Sequence, residues 1–194
     1  MAQPALALLE FDSVAVGIEA GDAMVKRGPV EVLLAGTVQP GKYLVLVAGE
    51  VGDVEEAVEA GTVVGGPHLV DEVLLPDVHP AVVDGARGSR HEGSGEALGV
   101  IETTSVAGVL DAADAAMKGA DVTLQELRMA DGLGGKGYAL FRGIVSEVEA
   151  AVGYGVERIS ADQLEQSAII SQLHDEMREN LLAEARFNPR VREE

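Results

Sequence analysis

Hydrophobic residues in the first half of the chain alternate between short apolar runs and apolar positions at helical spacing. Residues 5–11 form a run typical of a strand. Ser13 then stands where a helix N-cap belongs, and Val14, Ile18 and Met24 follow at helical spacing. We therefore predict a strand followed by an amphipathic helix.

Four further elements follow in the same half. The runs at 30–36 and 42–49 predict two strands joined by residues 37–41, a loop of hairpin length that contains Pro-Gly. A second amphipathic helix is predicted from residue 51 to Gly61, since glycine is common just past a helix C-terminus. Its apolar face consists of Val51, Val54, Ala57 and Val58. A last strand is predicted over residues 68–75.

The second half of the chain repeats the first. Residues 5–26 recur at 97–118, shifted by 92 positions, and residues 41–61 recur at 135–155, shifted by 94. The repeated residues include Glu10 with Glu102, Ser13 with Ser105, Asp22 with Asp114, Lys26 with Lys118, and Lys42 with Lys136. Because so many residues recur in the same order, we infer a tandem duplication.

The duplication sets the domain organisation. Residues 85–95 are rich in glycine and polar residues and have no hydrophobic period, which is typical of a linker. We predict a first domain over 1–84, a linker over 85–95, a second domain over 96–185 and a C-terminal tail over 186–194. A helix is expected from His174 to about residue 185, at the end of the second domain and directly before the tail.

The order of elements predicts the fold class. Each half has the order β-α-β-β-α-β, with the last strand of the second half at about residues 164–171. This order predicts an α+β fold in which a four-stranded antiparallel sheet carries two helices on one face, the ferredoxin-like arrangement. Since the helices cover only one face, we expect the exposed edges and helix flanks to be covered by association.

Composition excludes several classes of function. The 33 acidic residues outnumber 14 lysines and arginines, so the net charge of −19 disfavours nucleic acid and anionic membranes as partners. The N-terminus resembles neither a signal peptide nor a membrane span. With no cysteine in the chain, we expect a cytoplasmic protein without disulfides or thiolate-bound metals. A hydrophobic content of 47% beside this charge favours buried subunit interfaces.

No pattern in the chain indicates catalysis. Residues 36–42 match the spacing of a phosphate-binding loop, but Tyr43 replaces the hydroxyl residue and the segment continues as a predicted strand. The four histidines have no spacing typical of metal ligands, so no metal site is predicted. They are His68, His79, His91 and His174. No nucleophile, base and orienting group can be named together, and we predict a protein that is not an enzyme.

The repeated motifs resemble those of bacterial microcompartment shell proteins. The features that carry the resemblance are a glutamate at the end of the first strand, the stretches at 22–26 and 114–118, and a Gly-Lys after a short loop. Two copies in tandem resemble the trimeric, double-domain class. The resemblance covers residues 5–180. It implies a homotrimer in the shape of a pseudo-hexameric tile, localised in the microcompartment shell, with no catalysis by the tile itself.

The resemblance also implies partners. In the family, tiles pack edge to edge with other hexameric, trimeric and pentameric shell proteins around encapsulated enzymes. Lys26 and Lys118 occupy the position of the family's edge lysine, although the end of a helix is also an ordinary place for a surface lysine. His79 and His174 match a histidine near the tile edge. The arginine that precedes it in the family is replaced by Asp77 and Gln172.

A central pore is the second implied site. The loops between the second and third strands of each domain approach the symmetry axis in this family and pass small polar metabolites. The implied pore-lining residues are Thr37, Val38, Gln39, Pro40 and Gly41, with Asp131, Gly132, Leu133, Gly134 and Gly135. Some double-domain members hold an iron–sulfur cluster on a cysteine of the first loop. Here Gln39 stands at that position, so we expect no cofactor, and instead a channel or a site for a small polar molecule, lined by the Gln39 amides.

Two other hypotheses remain open at this stage. One is a small-molecule-sensing trimer of ferredoxin-like domains that binds an effector in the clefts between subunits. The other is an enzyme that uses the glycine-containing loop to bind phosphate.

Overall fold

The computed structural model describes residues 5–183 and contains two units with the same order of elements. The first unit consists of β1 (Ala5–Phe11), α1 (Val14–Arg27), β2 (Glu31–Val38), β3 (Lys42–Gly49), α2 (Val51–Gly65) and β4 (Leu69–Leu75). A short helix, α3 (Pro80–Ala86), follows it. The second unit consists of β5 (Ala97–Thr103), α4 (Val106–Gly119), β6 (Thr123–Met129), β7 (Gly137–Gly143), α5 (Val145–Arg158) and β8 (Leu164–Ile170). Helix α6 (Asp175–Ala183) ends the described chain.

Each unit is built on an antiparallel four-stranded sheet. The strand order is β2-β3-β1-β4 in the first, which we call sheet A, and β6-β7-β5-β8 in the second, sheet B. The register of β4 on β1 shifts between Glu10 and Phe11, and the register of β8 on β5 shifts between Glu102 and Thr103. The predicted tandem ferredoxin-like fold is therefore confirmed, and the repeat extends to the irregularities of the sheets.

The local signals that begin the first helix of each unit act as predicted. The Ser13 Oγ accepts a hydrogen bond from the Val16 N–H at 3.4 Å, and the Ser105 Oγ accepts one from the Gly108 N–H at 3.1 Å. Both serines thereby satisfy an N–H group that the first turn of a helix leaves without a partner.

Two predicted boundaries in the first unit are wrong. Helix α2 continues past Gly61 to Gly65, because Gly61 serves close packing inside the helix. A Cβ placed there would lie 2.8 Å from the Leu9 Cδ2 and 2.9 Å from the Met24 side chain. Residues 37 and 38, predicted as loop, are the end of β2, so the connection to β3 is only three residues long.

Helix α3 was not predicted, and Gly85 and Ala86, assigned to the linker, are its last two residues. Seven residues are too few to display a helical period in the sequence. The helix is stabilised by packing between the two units, since Val82 is fully buried and a Cβ on Gly85 would lie 3.0 Å from the Leu127 Cβ. His79 caps it, with its Nδ1 accepting from the Ala81 N–H at 3.2 Å.

The two faces of sheet A are both covered. Helices α1 and α2 pack on one face, where Leu9 and Val45 share a core with Met24. On the other face, Leu8 and Leu46 belong to the same core as Leu110 of α4, which comes from the second unit. The expectation that one sheet face would stay open in a single chain is therefore wrong for sheet A.

Candidate subunit interface and pore

Glu10 joins the two units at the end of β1. Its side chain is fully buried at the N-terminus of α4, and Oε1 accepts hydrogen bonds from the Val106 N–H and from the Ala107 N–H, the latter at 2.8 Å. The Lys42 Nζ donates to Oε2 at 3.2 Å. Burial raises the pKa of Glu10, while Lys42 and the two N–H groups oppose that rise. The carboxylate of one unit thus caps a helix of the other.

Two further carboxylates hold the same interface. The Asp71 Oδ2 accepts from the Ser105 Oγ at 2.5 Å and from the Gln163 Nε2 at 2.9 Å. Asp114, which is 5% exposed, accepts from the backbone N–H of His79 at 2.7 Å. Each of these contacts links a residue of the first half to a residue of the second, and they fix how α4 lies against sheet A.

Helices α4 and α1 are equivalent in the repeat but differ in burial. Val106 and Leu110 of α4 are fully buried between sheets A and B, whereas the equivalent Val14 and Ile18 of α1 are 37% and 54% exposed. Of the three residues whose spacing predicts an amphipathic α1, only Met24 is buried. Helix α1 thus has an apolar surface that residues 5–183 do not cover.

Glu102 repeats the position of Glu10 without its environment. The Lys136 Nζ donates to the Glu102 Oε1 at 3.2 Å, the same distance as in the Lys42–Glu10 pair. The Glu102 side chain is nevertheless 39% exposed. Within residues 5–183, no helix N-terminus lies on it, so the carboxylate faces solvent with its lysine already in place.

The two loops assigned to the pore lie together. A Cβ on Gly135 would be 3.1 Å from the Pro40 Cδ and 3.3 Å from the Gln39 carbonyl oxygen. Gly41 and Gly135 have φ values of 105° and 92°, which only glycine adopts without strain.

Most of the pore-lining residues named from the sequence are exposed at these loops. Val38 and Leu133 are half-buried and Gly135 is buried; the exposed residues are Thr37, Gln39, Pro40, Gly41, Asp131, Gly132 and Gly134. Lys42 and Lys136 directly follow the two loops, so the loops are anchored at the carboxylates Glu10 and Glu102.

Of the four residues assigned to the tile edge, only two share a contact partner. Lys118 donates to Asp114 at 2.6 Å, and Asp114 also binds the His79 backbone, so Lys118 and His79 lie together. Lys26 is 71% exposed and pairs with Asp22 on its own helix. His174 lies at the start of α6, where its Nδ1 accepts from the Glu176 N–H at 3.3 Å.

Sequence reasoning missed the roles of Glu10, Asp71 and Asp114. The recurrence of Glu10 as Glu102 and of Asp114 as Asp22 was a visible signal, but it did not reveal that these residues face the other unit. A carboxylate reaching a helix N-terminus 96 positions away in the chain is a tertiary contact that no local pattern encodes.

The segment with phosphate-loop spacing is part of a hairpin. Gly36 lies within β2 and Lys42 opens β3, where it pairs with Glu10. A phosphate cradle needs a helix N-terminus directly after the loop, which this hairpin does not provide.

Residues 5–183 have neither a metal-binding cluster nor a membrane-spanning helix. No group of three or more histidine, aspartate or glutamate side chains is placed to hold a metal ion. No helix is both long and apolar enough to cross a membrane.

Comparison with known proteins decides the family. A BMC domain model matches the chain twice, over residues 5–78 and 97–173. The chain belongs to the BMC domain family. It is 43% identical over 148 residues to the bacterial microcompartment shell protein PduT of Citrobacter freundii, an alignment that covers 76% of this chain and 80% of PduT. The predicted family, and with it the role as a microcompartment shell protein, is confirmed.

Other relatives agree with this assignment. The carboxysome shell protein CcmK1 of Thermosynechococcus vestitus is 38% identical over 84 residues, covering 42% of this chain and 73% of CcmK1. A microcompartment protein from Desulfitobacterium hafniense DCB has a solved structure with a TM-score of 0.82 and 38% identity, covering 92% of this chain and 99% of that one.

A more distant structure shares the fold alone. The fused permuted hexameric shell protein MSM0275 from the RMM microcompartment has a TM-score of 0.56 and 21% identity, covering 79% of this chain and 83% of that one. None of these relatives supports the small-molecule sensor as an alternative function for this BMC protein.

Proposed function

We propose that three copies of this shell protein close into a pseudo-hexameric tile with a central pore. The observation that carries the proposal is the surface of α1. Val14 and Ile18 repeat the residues by which α4 packs on sheet A, yet they are 37% and 54% exposed. A second copy that presents its sheet B to α1 would bury them in the same way.

Other exposed apolar residues fit the same arrangement. Leu34 of β2 is 48% exposed, while the equivalent Glu126 of β6 is 2% exposed and pairs with Arg90. Ile170 of β8 is 39% exposed, while the equivalent Leu75 of β4 is 3% exposed. Apolar side chains that are exposed where the equivalent positions of the repeat are buried fit surfaces that a second copy covers.

The loops that meet at Gly135 are the proposed pore. Three chains would contribute six loops around one axis, alternating residues 37–41 with residues 131–135. Exposed Gln39 amides and glycine N–H groups at these loops would favour small polar metabolites. The tile itself needs no cofactor for passage, and without cysteine the first loop offers no thiolate for an iron–sulfur cluster. We expect no catalysis by the tile.

The proposed tile edge contains Lys26, which has a long apolar stem and an ammonium group that can donate across the edge to another shell protein. Its side chain is 71% exposed, and its partner Asp22 lies on the same helix, so the ammonium group can exchange that partner for one across the edge. Lys118, His79 and His174 would contribute to the same edges of the tile. The partners would be other hexameric, trimeric and pentameric shell proteins, with enzymes enclosed by the shell.

Electron microscopy with sedimentation of the purified protein tests the proposal. We expect three-fold particles that assemble laterally into sheets, and Lys26→Asp should abolish the sheets while leaving trimers. Arg27→Asp is the matched control, because it makes the same change of charge one residue away, where the arginine pairs with Glu56 of its own chain. A monomer in solution would refute the tile, and sheets that survive Lys26→Asp would remove this lysine from the edge.

A second experiment addresses the pore. Gln39→Leu replaces an exposed amide by an apolar side chain of similar size, so we expect slower exchange of a small polar probe across closed shells. The melting temperature of the trimer should stay unchanged, since Gln39 is exposed at a loop tip. An unchanged exchange rate would place the channel elsewhere.

A further inference from the structure

We infer that Glu102, held by Lys136, caps the N-terminus of α1 in a second copy of this chain. The inference rests on the proposed trimer and assigns the residues that join its subunits. It follows from comparing one filled capping site inside the chain with its repeated counterpart at the surface.

The filled site shows what the counterpart requires. At the start of α4, the Ser105 Oγ accepts a hydrogen bond from the Gly108 N–H. Glu10 accepts hydrogen bonds from the two preceding N–H groups, those of Val106 and Ala107. The positive end of the helix then faces a carboxylate whose other oxygen binds Lys42. Together these acceptors satisfy three of the donors that the first turn of a helix leaves free.

The start of α1 repeats this arrangement with one acceptor fewer. The Ser13 Oγ accepts a hydrogen bond from the Val16 N–H, just as the Ser105 Oγ accepts one from the equivalent Gly108 N–H in α4. The Val14 and Ala15 N–H groups, which are equivalent to those bound by Glu10, have no acceptor among residues 5–183. The side chain of Val14 beside them is 37% exposed. Helix α1 therefore presents two backbone donors and an apolar surface together.

The other half of the site is Glu102. Its Oε1 already binds Lys136 at 3.2 Å, which copies the pair that Lys42 makes with Glu10. Its side chain is 39% exposed, against none for Glu10. The site thus has two halves. One is the Glu102 carboxylate with its lysine, in the second unit; the other is the N-terminus of α1, which lacks acceptors, in the first unit.

A second copy is the occupant that fits both halves. If sheet B of one copy received α1 of the next as sheet A receives α4, Glu102 would reach the Val14 and Ala15 N–H groups. In the same docking Gln166, equivalent to Asp71 by strand register, would meet Ser13. The contacts between the two units within the chain thus serve as the template for the contacts between chains, with each residue replaced by its equivalent in the repeat.

The test compares trimer dissociation in carboxylate variants of the full chain by sedimentation at several protein concentrations. Glu102→Ala should raise the protein concentration at half dissociation about tenfold or more, because a hydrogen bond to a charged acceptor is lost at every subunit contact. Glu102→Gln keeps an acceptor oxygen and should recover part of that loss. Glu147→Ala is the matched control, since Glu147 accepts a backbone N–H, that of Asp121, within its own domain.

The outcomes separate this inference from the proposed tile. Trimers whose dissociation is unchanged by Glu102→Ala would overturn the capping role and leave the tile standing. A wild-type chain that is monomeric at all concentrations would overturn both. A loss of trimers in Glu102→Ala that Glu147→Ala reproduces equally would show a general charge effect and refute the specific contact.

Discussion

Alanine at Ile18 and at Leu110 should weaken different properties, association and chain stability respectively, although the two residues are equivalent in the repeat. Leu110 is fully buried between the units, so Leu110→Ala removes buried methyl groups and leaves a cavity. We expect it to lower the free energy of unfolding by about 2–5 kcal/mol. Ile18 is 54% exposed, so Ile18→Ala should change the unfolding of a single chain far less.

The cost of Ile18→Ala should appear in association instead. Burying the exposed half of this side chain is worth about 1 kcal/mol at each contact, which is a factor of about five in affinity. Three contacts close the proposed trimer, so its association constant should fall roughly a hundredfold. Sedimentation over a range of concentrations measures association, and urea unfolding measures chain stability. If Ile18→Ala lowered chain stability as much as Leu110→Ala and left association unchanged, the assignment of this face to a second copy would be refuted.

Three further predictions concern the stability of the chain. Gly61→Ala should destabilise it by about 1–3 kcal/mol, because the added Cβ meets the Leu9 and Met24 side chains. Gly52→Ala in the same helix is the control: its Cβ meets nothing within 4 Å, so the change should be neutral or stabilising. Thermal unfolding of the two variants compares them. Ser105→Ala should cost about 1–2 kcal/mol in urea unfolding through loss of the helix cap and the contact with Asp71, and an unchanged midpoint would contradict this. Burial raises the pKa of Glu10 in the folded state, so the free energy of unfolding should fall as pH rises from about 4.5 through that raised pKa. Glu10→Gln should flatten this part of the plot of unfolding free energy against pH. If the slope persists in the variant, groups other than Glu10 cause the pH dependence.

Local signals were enough to predict the elements and their order. The capping serines, the apolar runs and the repeat located both sheets, because each depends on residues close together in the chain. The end of α2 was misplaced for a tertiary reason: glycine at position 61 ends no helix, but lets α2 approach Leu9 closely. Helix α3 was missed because packing between the units, rather than its short sequence, stabilises it.

The interface was harder to predict than the fold. The repeat showed Glu10 and Glu102 as equals, and only the structure shows that one caps a helix while the other faces solvent. Likewise, Val14 and Ile18 display the period of a core helix, although the packing of residues 5–183 leaves them 37% and 54% exposed. A pattern of apolar spacing predicts that a face will be buried; it does not say by which chain.

Cross-linking of paired cysteines tests the central claim most directly, because the natural chain contains no cysteine. Asp71→Cys with Ser105→Cys places two thiols where the side chains already meet at 2.5 Å, so a short bismaleimide should link them within one chain. Ser13→Cys with Gln166→Cys occupies the equivalent positions. A three-fold tile predicts that this second pair links different chains and that the denaturing gel shows one, two and three copies and no more. Only single chains, or a ladder that continues past three, would contradict it.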